Sequence, residues 1–237
     1  MLQGISAIAF DLDGTLYPNY SLNIRLLPFI LKHLPLVVAL GKARNTIRSE
    51  QEKDPESFMP DFYDYQARLI AMQLKAEPEQ IRERLDDLIY RGWERHFSKI
   101  RLFPYLREFL VELRTTPLKL GLLSDFPPQN KLEQLGIAGC WDAIICSEDT
   151  GALKPAARPF TELAKALNCT AKQILYVGNS SRYDVAGAAR TGMKSALLAN
   201  RFASKCAART ASTGATRGAT ADFTFYDYRQ LRDFVLL

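Results

Sequence analysis

Two carboxylates one residue apart, Asp11 and Asp13, follow the apolar run Ala7-Ile8-Ala9-Phe10 and precede Gly14-Thr15-Leu16. The run reads as a buried strand, and Gly14 opens a turn after it. Successive residues of a strand point to opposite faces, so Asp11 and Asp13 share one side. Two acids at the end of a buried strand are costly unless a cation or a proton offsets them. The pattern points to a metal site that works on oxyanions. For Asp-x-Asp alone, a pair of solvated turn aspartates is the competing reading. Asp-x-Asp-Gly-Thr directly after an apolar strand is more specific.

Three further pieces follow in order. The apolar residues 118–123 run into Ser124-Asp125. Leu153-Lys154-Pro155 precedes Arg158-Pro159-Phe160, and Ile174-Leu175-Tyr176-Val177 leads into Gly178-Asn179-Ser180-Ser181-Arg182-Tyr183-Asp184. This order resembles the four motifs of haloacid dehalogenase (HAD) superfamily phosphatases, over nearly the whole chain. The resemblance implies a Mg2+-dependent phosphatase that hydrolyses a small phosphomonoester metabolite through an aspartyl-phosphate intermediate. It implies Asp11 as the nucleophile and Asp13 as the acid/base, with the Asp13 backbone carbonyl a metal ligand. Ser124 matches the hydroxyl that hydrogen-bonds the phosphoryl group, and Lys154 the lysine that neutralises nucleophile and phosphoryl charge. Substrate contacts are expected from Thr15, Ser124, Asp125 and Lys154, and metal ligation from Asp11, Asp13, Asn179 and Asp184.

Two motifs depart from the family pattern. Gly178 is followed by Asn179 where Asp is usual, while Asp184 is retained. Asn179 can give a carbonyl oxygen to a hard cation but supplies no charge. Asp125 stands where Asn is frequent. Either the two changes offset each other and preserve the charge of the site, or Asp125 caps a helix begun by Pro127-Pro128. Ser180 and Ser181 are placed to hold the metal's ligands by hydrogen bonds. Arg158, Arg182 and Tyr183 lie near the motifs but are read as structural or solvent-facing. Two alternatives to the phosphatase remain: a phosphomutase of the same superfamily, and a non-catalytic ligand-binding relative, the latter motivated by Asn179. Dehalogenase chemistry is disfavoured, because those relatives lack an acid at the position of Asp13.

The elements that must position these residues are legible around them. Residues 16–100 show helical periodicity and no convincing strand, with helices over 62–74 and 78–97 and one or two more within 21–48. Breaks fall at Asp54-Pro55-Glu56-Ser57 and Met59-Pro60. This insertion resembles the all-helical cap domain of many HAD phosphatases and divides the chain into a core, 1–16 and 101–237, and a cap, 17–100. From Pro104 strands and helices alternate: helices over 105–114, 130–135, 157–167 and 184–190, strands over 118–123, 141–146, 173–177 and 194–198. A final strand and helix fill 223–237. The expected fold is α/β, a doubly wound parallel sheet with ligands at the carboxyl ends of its strands. Residues 203–221, with Lys205, Arg209 and Arg217, are expected as a mobile surface loop.

The 237 residues, 47% hydrophobic, can bury one good core or a core plus a smaller domain. Net charge is +5 with both signs interspersed, a solvated surface that also suits anionic substrates. No zinc-finger pattern or aromatic-interleaved basic stripe marks a nucleic-acid partner. The scattered Cys140, Cys146, Cys169 and Cys206 read as buried reduced thiols. No signal peptide is expected, and the location is read as cytoplasmic. Residues 26–40 are apolar but interrupted by Pro28, Lys32, His33 and Pro35. A buried cap helix is expected there and no membrane partner, with interfacial membrane contact the alternative. The expected partner is a small phosphorylated metabolite; oligomeric state is open.

Overall fold

Six short apolar stretches pair side by side: β1 (Ala7–Phe10), β2 (Lys119–Ser124), β3 (Ala143–Cys146), β4 (Ile174–Gly178), β5 (Lys194–Leu198) and β6 (Phe223–Phe225). They form one parallel sheet in the order β3-β2-β1-β4-β5-β6. The computed structural model describes residues 2–55, 57–93, 97, 99–199 and 219–237. The loop expected at 203–221 lies outside these up to residue 218, as does Cys206. β1 is central, so the chain builds outward through β2 and β3, crosses back, and builds the other way through β4 to β6. The crevice between β1 and β4 is the switch point at which ligands of such sheets bind.

Alternation along β1 builds two cores, as the strand period requires. Ile8 and Phe10 join Leu122, Val177, Phe109, Leu113, Leu231 and Val235 on one face. Ala7 and Ala9 join Leu123, Tyr176, Phe160, Leu163 and Ala188 on the other. The first face is covered by α5 (Leu106–Leu113) and α9 (Tyr228–Leu236), the second by α7 (Ala157–Ala166) and α8 (Ala186–Thr191). The short α6 (Gln129–Gln134) follows β2. This is the doubly wound α/β architecture. The third strand starts at Ala143, two residues after the expected start at 141, and just before it the Asp142 carboxylate accepts from the Leu120 amide at 2.7 Å.

Between β1 and α5 the described residues form only helix and loop: α1 (Asn19–Lys32), α2 (Leu34–Lys53), α3 (Phe62–Leu74), α4 (Pro78–Leu85) and a π turn, Asp86–Tyr90. The helix expected over 78–97 ends at this turn, two residues before the weak helix former Gly92. Leu22 and Leu26 of α1 pack into the sheet's first core. Helices α2 to α4 make a separate cluster of Leu36, Leu40, Ala43, Ile70, Ile81 and Leu85. The chain leaves and returns side by side, with the Phe103 amide on the Leu16 carbonyl at 2.9 Å.

The stretch 26–40 is not one buried helix. It breaks at His33, Pro35 starts α2 in the first turn where its missing N–H is no loss, and the two axes meet at 112°. Leu26, Leu36 and Leu40 are buried, but Leu27 is 52% and Leu31 65% exposed. Among the described residues no single helix is long and apolar enough to cross a membrane.

Candidate active site at the carboxyl ends of β1 and β4

Asp11 continues the ladder of β1, its amide on the Val177 carbonyl at 2.9 Å. Its carboxylate is held from two sides: Oδ1 accepts from Lys154 Nζ at 2.6 Å, and Oδ2 from the Thr15 hydroxyl at 2.6 Å. Thr15 is fixed in turn by Tyr228, whose hydroxyl donates to the Thr15 carbonyl. Gly14 turns the chain with a φ of 88°, and any side chain there would overlap the amides of Asn19 and Asn179.

Asp184 reaches the same ammonium from beyond β4. A π turn, Ser181–Val185, starts where the Ser180 hydroxyl accepts from the Tyr183 amide, and it aims Asp184 back at the strand end. Asp184 Oδ2 accepts from the Asn179 and Ser180 amides at 3.1 and 3.0 Å, and Oδ1 from Lys154 Nζ at 2.8 Å. Gly178 is required for this approach, since a Cβ would occupy the place of the Asp184 side chain. Ser180 thus orients an acid through its amide and caps the turn with its hydroxyl.

Asp13 has different partners, because the strand ends at Phe10 and its two-residue alternation does not continue. Lys131 of α6 donates to both Asp13 oxygens at 2.9 Å, and the Tyr17 hydroxyl donates to Oδ1. The Lys131 ammonium also lies 5.2 and 5.6 Å from the ring centres of Phe97 and Phe126. Asp11, Asp13, Asn19, Asp125, Phe126, Lys154, Asn179, Tyr183 and Asp184 line one cleft of about 590 Å³.

The family model of haloacid dehalogenase-like hydrolases matches residues 5–192. The chain belongs to this family. A glyceraldehyde 3-phosphate phosphatase of Methanothermobacter thermautotrophicus is 27% identical over 209 residues, 83% of this chain and 86% of that protein. A phosphoglycolate phosphatase of Salmonella paratyphi A is 28% identical over 211 residues, 82% of this chain and 81% of that protein. Among solved structures, a HAD phosphatase from Thermococcus onnurineus superposes with a TM-score of 0.62 at 24% identity, covering 98% of each chain. That last likeness is one of fold.

In this HAD-like hydrolase the charges of the cleft are unevenly compensated. Burial raises the Asp11 carboxyl to about 7, with Lys154 opposing the rise and Asp184 adding to it. Burial alone would depress Lys154, but Asp11 and Asp184 hold it well above the ordinary lysine value. With both acids ionised, the buried Asp11–Lys154–Asp184 group carries one formal negative charge in excess. Asp11, the Asp13 carbonyl, Asn179 and Asp184 offer only oxygen, the donor type Mg2+ takes, and the excess charge has the right sign. The donor set fits such an ion in chemistry. It does not gather as a carboxylate cage: no three His, Cys, Asp or Glu side chains cluster as a metal-binding group among the described residues.

Six of the expected site residues, Asp11, Asp13, Asp125, Lys154, Asn179 and Asp184, line the cleft. Thr15 and Ser124 lie beneath it, both fully buried. The Thr15 hydroxyl is committed to Asp11 and the Ser124 oxygen accepts from the Phe126 amide at 3.2 Å. Asp125 is neither a helix cap nor a free charge that replaces the one missing at Asn179. Its carboxylate meets Arg48 of α2 at 2.7 Å, Arg44 at 3.5 Å and the Lys154 amide at 3.2 Å. Burial would raise its pKa, but Lys154, Arg44 and Arg48 bring it down to about 2. Arg158 binds the Thr150 carbonyl, outside the cleft, whereas Arg182 and Tyr183 line it. Lys131, Tyr17, Asn19, Arg44 and Arg48 are site residues that no motif marks. Only Tyr17, four residues after Asp13, carried a local signal.

Proposed function

We propose that this hydrolase is a phosphatase acting on a small phosphorylated metabolite through an aspartyl-phosphate on Asp11, with Mg2+ as cofactor. The observation that carries the reading is the separate support of two neighbouring acids. Asp11 is held by Lys154 and Thr15, Asp13 by Lys131 and Tyr17, and both open to one cleft. An oxygen leaving group needs an acid beside the nucleophile, which Asp13 supplies. The phosphatase names of the two curated relatives support the same chemistry.

In the first half-reaction an Asp11 oxygen attacks phosphorus, the ester P–O bond breaks, and the departing oxygen takes a proton from Asp13. In the second, water attacks the phosphorus and gives a proton to Asp13. The bond to Asp11 breaks, phosphate leaves and the carboxylate is restored. Lys154 offsets the charge gathered on Asp11 and the phosphoryl oxygens. Mg2+, held by Asp11, the Asp13 carbonyl, Asn179 and Asp184, would add positive charge at the phosphoryl group. Residues 17–100 form a cap over the core of 1–16 and 101–237, with the crossing at Leu16 and Phe103 as its hinge.

The test is release of inorganic phosphate from a panel that includes glyceraldehyde 3-phosphate and phosphoglycolate, with Mg2+ and with excess chelator. Turnover of at least one phosphomonoester that stops on chelation and returns with Mg2+ is expected. No release from any member with Mg2+ present would overturn the proposal.

A further inference from the structure

Both arms of the elbow between α1 and α2 leave large apolar side chains uncovered. Tyr20, Ile24, Leu27, Leu31, Leu34 and Val38 are all exposed. On α1 the first four recur at spacings of four, three and four residues, which sets them in one stripe. Leu34 and Val38 carry apolar surface onto α2, past the 112° bend. From Gly14 to Ser49 the chain holds no Asp or Glu, and it holds Arg25, Lys32, Lys42, Arg44 and Arg48. Arg44 and Arg48 are engaged by Asp125 and Glu148, but Lys32 and Lys42 are exposed. Arg25 shares a surface depression beside Tyr20 with the exposed Lys99 and Arg101. Large apolar side chains thus stand among cations in a segment that has no acid of its own.

We propose that this elbow docks on an anionic lipid surface, its apolar stripe at the acyl boundary and its cations among the headgroups. Two observations favour lipid over a second copy of the chain. A two-fold contact would set this basic segment against itself, with no acid in it to pair. A coiled-coil seam between two copies runs along a continuous straight stripe, and the bend interrupts this one. The proposal stands apart from the phosphatase reading: it concerns where the protein sits, not what it cleaves.

Co-sedimentation of the full chain with vesicles tests it. One set is phosphatidylcholine alone, the other an equal mixture with phosphatidylglycerol. The bound fraction is expected to be about ten-fold higher on the anionic vesicles and to fall in about 0.5 M NaCl. The double variant Leu27→Ser/Leu31→Ser alters side chains more than half exposed, and should lose that binding with its thermal midpoint unchanged. Lys32→Gln/Lys42→Gln should weaken binding to anionic vesicles without affecting the midpoint. Absence of binding to either vesicle overturns the proposal, as does binding that survives the leucine substitutions. A dimer in solution that Leu27→Ser/Leu31→Ser converts to monomer would assign the stripe to a second copy instead.

Discussion

Two buried ion networks lie side by side in this molecule and are built differently. At the strand ends, Lys154 answers two carboxylates, Asp11 and Asp184, and negative charge is left over. At the seam between α2 and the core, Arg44 and Arg48 face Asp125 and Glu148, and the formal charges balance. The seam is reinforced by Arg48 on the Lys154 carbonyl at 2.9 Å and by Gln51, which bonds the Gly151 carbonyl and the Leu153 amide. The same loop therefore carries the Lys154 ammonium into the cleft and ties its own backbone to the helical insertion. The first network keeps unpaired charge for a ligand; the second is self-contained and sets where the insertion rests. Buried pairs of the second kind are weak evidence for stability but destabilise strongly when one partner is removed.

The largest effect should come from the network that reacts. Asp11→Asn is expected to lower turnover by about 10³-fold or more, because an amide cannot form the phosphoryl intermediate. Its thermal midpoint should be unchanged, since burial already favours an uncharged group there. Phosphate release and a thermal melt on the same sample decide, and near wild-type turnover would remove the basis for contrasting the two networks. Lys131→Met sharpens the contrast within the cleft. If Lys131 positions Asp13 as an acid, turnover of alkyl phosphates should fall about 10²-fold and that of an activated aryl phosphate much less, since the latter needs no proton. Equal losses on both would make Lys131 a structural residue only.

At the seam the effect should appear in stability. Asp125→Ala is expected to lose about 3 kcal/mol by chemical denaturation, leaving Arg48 without its carboxylate. The folded pKa of Asp125 lies below its ordinary 3.8, at about 2. Its contribution is therefore full above the ordinary value and disappears as pH falls through the folded one. The gap between wild type and Asp125→Asn should close over that window. Glu148 runs in the opposite direction. Burial raises it from 4.5 to about 7, despite Arg44, so the folded state holds more protons between those values and stability falls as pH rises through them. Glu148→Gln should flatten that slope, a change of about 3 kcal/mol, and leave the protein at least as stable as wild type at pH 8. A variant less stable at pH 8 would mean that the Glu148 charge supports the seam and that the two networks are less different than their geometry implies.

Much of the fold was legible in local pattern. Residues 62–74 and 194–198 form the helix and the strand read from them, and the other boundaries between 105 and 198 moved by one or two residues, whereas the helix read over 78–97 stopped at the turn Asp86–Tyr90. Where the reading failed, a side chain had acted at a distance. The Asp142 carboxylate bonds Leu120 ahead of β3, and 26–40 broke into two helices whose packing left Leu27, Leu31, Leu34 and Val38 exposed. Asp125 lines the cleft, as a substrate contact would, but it does not cap the following helix. Its actual partners are 77 and 81 residues away.

The amino-acid order by itself determined the alternation of apolar runs and turns, and with it the parallel sheet and the positions of Asp11, Asp13, Lys154 and Asp184 at strand ends. Those are consequences of backbone periodicity and of glycine at Gly14 and Gly178, which act within a few residues. Only the tertiary structure decided that Lys131 and Tyr17 hold Asp13, that Arg44 and Arg48 take up the charge of Asp125, and that Thr15 and Ser124 lie beneath the cleft. Each of those outcomes depends on which side chain meets a buried charge across the fold, and desolvation makes that meeting compulsory without naming the partner in advance.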